Sequence, residues 1–242
     1  METITKIEKT IIEITPDEWA ESPCNESNFG TVIAFHRKYQ IGHPHTYKTP
    51  LEFAIDLLKN TKISVKRLES LIPEDYKGEY KYYLSDKYRK RTPEDIIYFM
   101  EEYLPDNSEK IVENILAVTK VVCLPLYMYD HSGIALSTTP FSCRWDSGQI
   151  GYVYVSKEKI KETYKYVNKK TIDKAVNILK HEIETIDHYV NGNVWKFSIK
   201  NDDVIVDSCG GFYGDDIEVS GMLDYIPAKL HDKAREAWNN RF

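Results

Sequence analysis

The 242-residue chain carries only four cysteines, at positions 24, 123, 143 and 209, and no two of them form a C-x-x-C pair. Zinc knuckles and dithiol redox motifs need that close spacing, so the thiols read as reduced side chains of an intracellular protein. Long apolar runs are also missing. No stretch approaches the roughly 18–20 residues that a membrane-spanning helix requires. Met1 to Ile14 alternates charged and apolar residues and lacks the continuous apolar core of a secretory signal. A basic excess is absent too: 32 Lys and Arg stand against 38 Asp and Glu, a net charge of −6. Proteins that hold nucleic acid through its phosphates leave a basic footprint, so direct nucleic-acid binding is disfavoured. Neither a P-loop nor a dinucleotide fingerprint occurs, because no glycine-rich turn is followed by the required Lys-Ser/Thr or by a helix in the right order.

What the chain has in quantity is tyrosine, 18 of them. Tyrosine offers a large amphipathic surface at low entropic cost and is enriched where proteins bind. The apolar share of 42% and charged share of 29% are ordinary for a globular domain, and the length suffices for a sizeable core. The expectation is a single composite domain over 1–242, with a polar excursion at about 73–91. There Tyr alternates with Lys and Arg (YKGEYKYYLSDKYRKR, 76–91) and ends in a basic cluster. That stretch could stack bases and neutralise phosphates, but in an acidic chain a solvated excursion with its tyrosines laid on the body is preferred.

Periodicity supplies the fold class. Strands are expected near 30–35, 121–129, 134–138, 150–155, 194–199 and 204–208, where β-branched and aromatic residues crowd between Asp, Ser and Gly turns. A short strand over Thr10–Ile14 is also compatible. Thr49-Pro50-Leu51-Glu52 and Thr92-Pro93-Glu94-Asp95 place an N-cap, a proline at the first helical position and an acid close behind, and so predict helix starts. Helices are expected over 50–60, 62–71, 92–103, 108–118, 157–166 and 228–238. The clearest follows Thr171, where Ile172, Val176, Leu179, Ile183, Ile186 and Val190 step by three or four residues into one apolar stripe. Short connections around 130 and 201 imply antiparallel pairing. The class is therefore α+β, with a mostly antiparallel central sheet and helices packed on it.

The stretch from Val121 to Val155 draws the chemical candidates together: two Asp/Ser/Gly turns flank a hydroxyl-rich segment holding Cys143 and Trp145. A thiol hydrolase or transferase would use Cys143 as nucleophile and His131 as base, with Asp130 or Asp146 orienting the ring. The plain alternative makes Cys143 a small buried residue and His131 a turn residue that caps a backbone group. His36, His43 and His45 fall within ten residues but straddle a proline loop without helical spacing, so a metal centre is not expected. No cofactor is implied. The turns at Asp146–Gly151 and Gly210–Gly214 could present backbone N–H groups to an anion, though positive-φ turns explain their glycines equally well. Asp207, Asp215 and Asp216 lack the spacing of a calcium loop. A third reading needs no chemistry at all. His36, Arg37, Tyr39, His131, Ser142, Trp145, Asp146, Ser147 and Tyr213 would form recognition surfaces, with a nucleotide-like pocket walled by His131, Trp145 and Tyr213.

Three phrases carry a resemblance: FGTVIAFHRKYQIG (29–42); LYMYDHSGIALSTTPFSCRWDSGQIGYVYVSKEKI (126–160) together with HEIETIDHYVNGNVWKFSI (181–199); and VDSCGGFYGDD (206–216). They resemble a family of bacteriophage and mobile-element proteins that brings no established activity with it. The resemblance implies an accessory protein acting in the bacterial host cytoplasm. The preferred expectation is binding: inhibition of a host defence or regulatory protein, or sequestration of a nucleotide signal. The cysteine enzyme is the alternative.

Overall fold

A computed structural model describes residues 10–86, 91–106 and 108–241. Among them are seven strands and eight α-helices. The fold is α+β, and every strand pairing described is antiparallel. The strands are shared between two sheets rather than gathered in one: a three-stranded sheet of order β1-β6-β7 and a four-stranded sheet of order β2-β5-β3-β4. Here β1 is Thr10–Pro16, β2 Thr31–Ala34, β3 Val121–Asp130, β4 Ile134–Ser137, β5 Ser147–Ser156, β6 Val194–Asn201 and β7 Val204–Tyr213. The chain divides into two compact units.

The first unit collects Met1–Asn28, Tyr127–Gly148 and Lys180–Phe242. Its core forms where Ile12 and Ile14 of β1 lie opposite Ile199 and Phe197 of β6. Those residues alternate with polar ones, so each strand turns a single apolar face inward. Met222, Leu223 and Ile226 join them, as do Ala234 and Trp238, one turn apart on the helix α8 (His231–Asn239). The Trp238 ring meets Trp195 edge-on at 5.6 Å, and the Arg241 guanidinium lies 4.0 Å over Trp238. The β6–β7 turn is made by Asp202 and Asp203 at φ of 45° and 69°. Successive left-handed residues match the twist of a tight hairpin, and aspartate tolerates that region better than most residues.

The second unit collects Phe29–Leu126 and Gln149–Leu179. Its helices α1 (Pro50–Lys59), α2 (Val65–Glu69), α3 (Lys77–Ser85), α4 (Pro93–Tyr103), α5 (Glu109–Leu116) and α6 (Lys157–Tyr164) are largely capped as their sequences predict. Thr49 Oγ1 accepts from Glu52 N at 3.2 Å, and Glu52 Oε2 accepts from Lys48 N at 2.6 Å, the residue before the cap. Thr92 caps α4 the same way through Asp95 N. Phe53, Ile55 and Leu58 of α1, Ile96, Phe99 and Met100 of α4, and Ile115 of α5 are fully enclosed, with Tyr152 of β5 against them. β2 lies against β5 so closely that a Cβ on Gly151 would come within 2.0 Å of Ile33 O. The long helix α7 (Lys169–Val190) runs from this unit into the first. It is capped by reciprocal Asn168 and Thr171 bonds, so it begins slightly before Thr171.

Over its described part the polar stretch 76–91 lays tyrosines on the body, and does so as a helix. Lys77–Ser85 forms α3, and Tyr80 and Tyr83, three residues apart, bury their rings against Phe99 at 5.1 and 5.5 Å. One helical face is apolar although the composition is not, and mean polarity conceals such a stripe. Residues 87–90 of the basic cluster lie outside the described residues. Among the described residues no helix is long and apolar enough to cross a membrane.

Candidate functional site

The turns at either end of the central motif do meet. Asp130, the last residue of β3, donates its backbone N–H to Asp146 O at 2.8 Å. The carboxylate of Asp146 then takes two neighbours: Cys143 Sγ donates to Oδ2 at 3.5 Å, and His131 Nδ1 lies 3.6 Å from the same oxygen. Ser147 Oγ donates to Cys143 O and closes the turn. The sequence candidates Cys143, His131 and Asp146 are thus brought together, but with the carboxylate between thiol and ring. In a nucleophilic triad the imidazole occupies the middle, because it must take the thiol proton. Here the thiol's described partner is the Asp146 carboxyl group and not the ring. Ser142 is exposed, and Trp145 stands out from the turn at 96% exposure. Asp130 serves the turn through its backbone.

Tyr213 is engaged elsewhere. Its hydroxyl donates to Glu21 O at 3.3 Å, and burial together with nearby carboxylates pushes its pKa upward. Among the described residues no hydrogen bond or ring contact ties it to His131 or Trp145, so the three-walled pocket expected from the sequence has no described counterpart.

A cleft with polar walls lies within the second unit. It encloses about 800 Å³ where the end of β2 and the loop 35–49 meet the starts of α1 and α5 and the strand segment Gln149–Tyr152. Three histidines brace its loop through ring nitrogens. His36 Nδ1 accepts from Tyr39 N at 3.1 Å, with its ring stacked on Tyr39 at 5.1 Å; His43 Nδ1 accepts from Val32 N at 3.0 Å. His45 Nε2 bonds Ala34 O at 2.9 Å, and a carbonyl can only accept, so Nε2 carries the proton. His45 Nδ1 is buried with no partner, and so is Gln149 Oε1 in the same wall. Phe35, His45, Tyr47 and Phe53 form a run of rings with successive centroids 5.2, 5.8 and 5.5 Å apart. Tyr47 donates its hydroxyl to Asp56 Oδ2 at 2.8 Å. Burial and that carboxylate push its pKa up to about 12, so it stays a neutral donor at physiological pH.

His36 and Arg37, expected as binding residues, line this cleft, and Tyr39 lines the adjoining hollow over 34–45. The sequence reading missed Tyr47, Lys48, Asp106, Gln149 and Glu109. Only His45 carried a visible signal, as one of three closely spaced histidines; the others come from three separate segments. No group of three or more His, Cys, Asp or Glu among the described residues could hold a metal ion. Neither a family model, nor a curated protein, nor a solved structure matches the chain.

Proposed function

We propose that this is a phage-type accessory protein of the bacterial host cytoplasm that acts by binding a host protein, without covalent chemistry. The observation that carries the reading is Trp145, 96% exposed on a turn that four interactions of its neighbours hold in place. Tryptophan is the residue most enriched among binding hot spots, and holding it on an ordered turn lowers the entropy lost on association. The polar side chains of the turn are spent on that task. The cysteine-enzyme reading is the weaker one, since the group beside Cys143 cannot receive its proton as an imidazole would.

The test is retention from bacterial lysate on the immobilised full chain, with Trp145→Ala and Cys143→Ala run in parallel. One stoichiometric host protein retained by the wild type and by Cys143→Ala, and lost by Trp145→Ala with an unchanged circular dichroism spectrum, is the expected result. A partner held equally well by Trp145→Ala, or no stoichiometric partner, would overturn the reading.

A further inference from the structure

We infer that the free edge of β1 pairs with the β1 of a second copy of this chain, joining their three-stranded sheets about a two-fold axis at Glu13. The inference concerns β1 and α8 and is independent of the Trp145 turn.

The backbone phase of β1 is the first reason. The strand ends its sheet and pairs with β6 in unbroken register over its seven residues. Just past it, Asp17 N donates to Val194 O of β6 at 2.8 Å. Alternate residues of an antiparallel strand turn their N–H and C=O to the same side. Ile11, Glu13 and Thr15 therefore bond β6, while Thr10, Ile12, Ile14 and Pro16 turn outward. Lys233 Nζ agrees with that phase, donating to Thr10 O at 2.9 Å. The outward N–H and C=O of Ile12 and Ile14 have no described partner. Folded proteins blunt such edges, and the other three edges of this chain are blunted. Val32 of β2 gives its N–H to His43 Nδ1 and its carbonyl to His43 N. Leu136 N of β4 donates to Asp187 Oδ1, and β7 departs twice from regular pairing.

The two ends of the edge are the second reason, because they select β1 itself as the incoming strand. Antiparallel pairing about Glu13 sets Ile12 against Ile14 of the copy, and the two exchange both hydrogen bonds. It also sets Thr10 against Pro16. Thr10 O, already taken by Lys233, then faces the one residue with no N–H to offer, while Thr10 N donates to Pro16 O. Every outward group of the strand is matched. An axis at Ile12 would aim Ile14 N–H at the occupied Thr10 O, and one at Ile14 would leave Ile12 O facing the proline. Glu13 meets its own counterpart, but each carboxylate is bonded to Lys200 Nζ at 2.6 Å, so no bare charges are brought together.

There is room for the copy. A groove of about 700 Å³ runs along β1, walled on its other side by Lys233, Glu236, Ala237 and Asn240, one flank of α8. Lys233 reaches the Thr10 end of the strand. Arg241, just past the helix, lies 4.7 Å over Trp195, which stands opposite Pro16. Ala237 falls halfway between them, beside Glu13 and the axis, where the smallest side chain of the flank leaves the most space.

Sedimentation equilibrium of the full chain over a concentration series is expected to show a reversible monomer–dimer equilibrium. Ala237→Arg should raise the dissociation constant about tenfold or more, as bulk beside the axis implies, with an unchanged circular dichroism spectrum. Glu13→Cys reads the register without relying on that variant. Residues facing each other in such a pair have Cβ atoms about 4.5–5.5 Å apart, so mild oxidation should bridge the two introduced thiols. Thr15→Cys, which faces Ile11 of the copy, should stay unbridged, as should the wild type with its four free cysteines. If Ala237→Arg fails to fold, the two cysteine variants decide alone. A monomer throughout the series would overturn the inference, even one that takes up an extended peptide. So would a dimer that a folded Ala237→Arg leaves intact, or equal bridging by Glu13→Cys and Thr15→Cys.

Discussion

The turn at 143–147 and the cleft at 35–49 are both dense in polar side chains, and they use them in opposite ways. In the turn the polarity is consumed: Asp146 accepts from Cys143 and faces His131, while Ser147 ties back to Cys143 O. What is left over is a tryptophan. In the cleft the histidines are consumed in bracing the loop, but Arg37, Lys48, Asp106 and Glu109 are left over, together with two unpaired acceptors. A cluster of catalytic-type residues in sequence therefore signals chemistry only where folding does not use it up. By that criterion the turn spends its polar groups within itself, while the cleft keeps charged side chains without an ion-pair partner among the described residues.

The comparison can be broken most forcefully at Phe53, which is fully enclosed and forms the inner end of the cleft's run of rings. Phe53→Ala should cost about 3–5 kcal/mol in urea unfolding, as large-to-small changes at enclosed aromatics do. If it costs under about 1 kcal/mol, the cleft wall is not the continuation of the core that the packing implies. Asp146→Ala tests the turn. It strips two side-chain neighbours of their acceptor and should cost about 1 kcal/mol, whereas Asp146→Asn, which can still accept, should cost less.

Acid titration should set the two units against each other. In the second unit the Arg91 guanidinium, hydrogen-bonded to Glu69, holds that carboxyl below the usual range despite some burial. Its stabilisation is present above the unfolded glutamate value and is lost as pH falls through the folded one. In the first unit Asp187 accepts from Leu136 N at 2.6 Å, yet burial outweighs that bond and raises its pKa. The unfolded chain then holds fewer protons in the window above the ordinary aspartate value, so the Asp187 contribution falls as pH rises through that window. Thermal unfolding across pH 3 to 6, a range spanning the reference carboxyl values of about 4, should become steeper on the acid side in Asp187→Asn and shallower in Arg91→Ala. Unchanged slopes in both would show that neither carboxyl is perturbed. The smallest effects belong to the surface. Trp145→Ala and Arg37→Ala/Lys48→Ala should each stay within about 0.5 kcal/mol of the wild type, separating what these residues do from how the chain folds.

Much of the secondary structure could be read directly. Thr49-Pro50 and Thr92-Pro93 start helices because their caps act within a few residues, and the apolar stripe of α7 announces itself over five turns. The hairpin at Asn201–Val204 was likewise legible from its turn chemistry. The stretch Val204–Val206 was misleading in a different way. It forms a strand as expected, yet the three side chains are 65%, 58% and 56% exposed. Nothing in a short apolar run says whether another element covers it.

The sequence alone determined the α+β class, the antiparallel hairpins, the helix starts and the absence of long apolar helices, all of which depend on neighbours a few residues apart. Tertiary structure decided the rest: the division of strands into two sheets, the position of Asp146 between Cys143 and His131, and the cleft lined from four separate segments. Those depend on which distant groups end up adjacent, and a local pattern fixes the face a side chain presents but not the partner it meets.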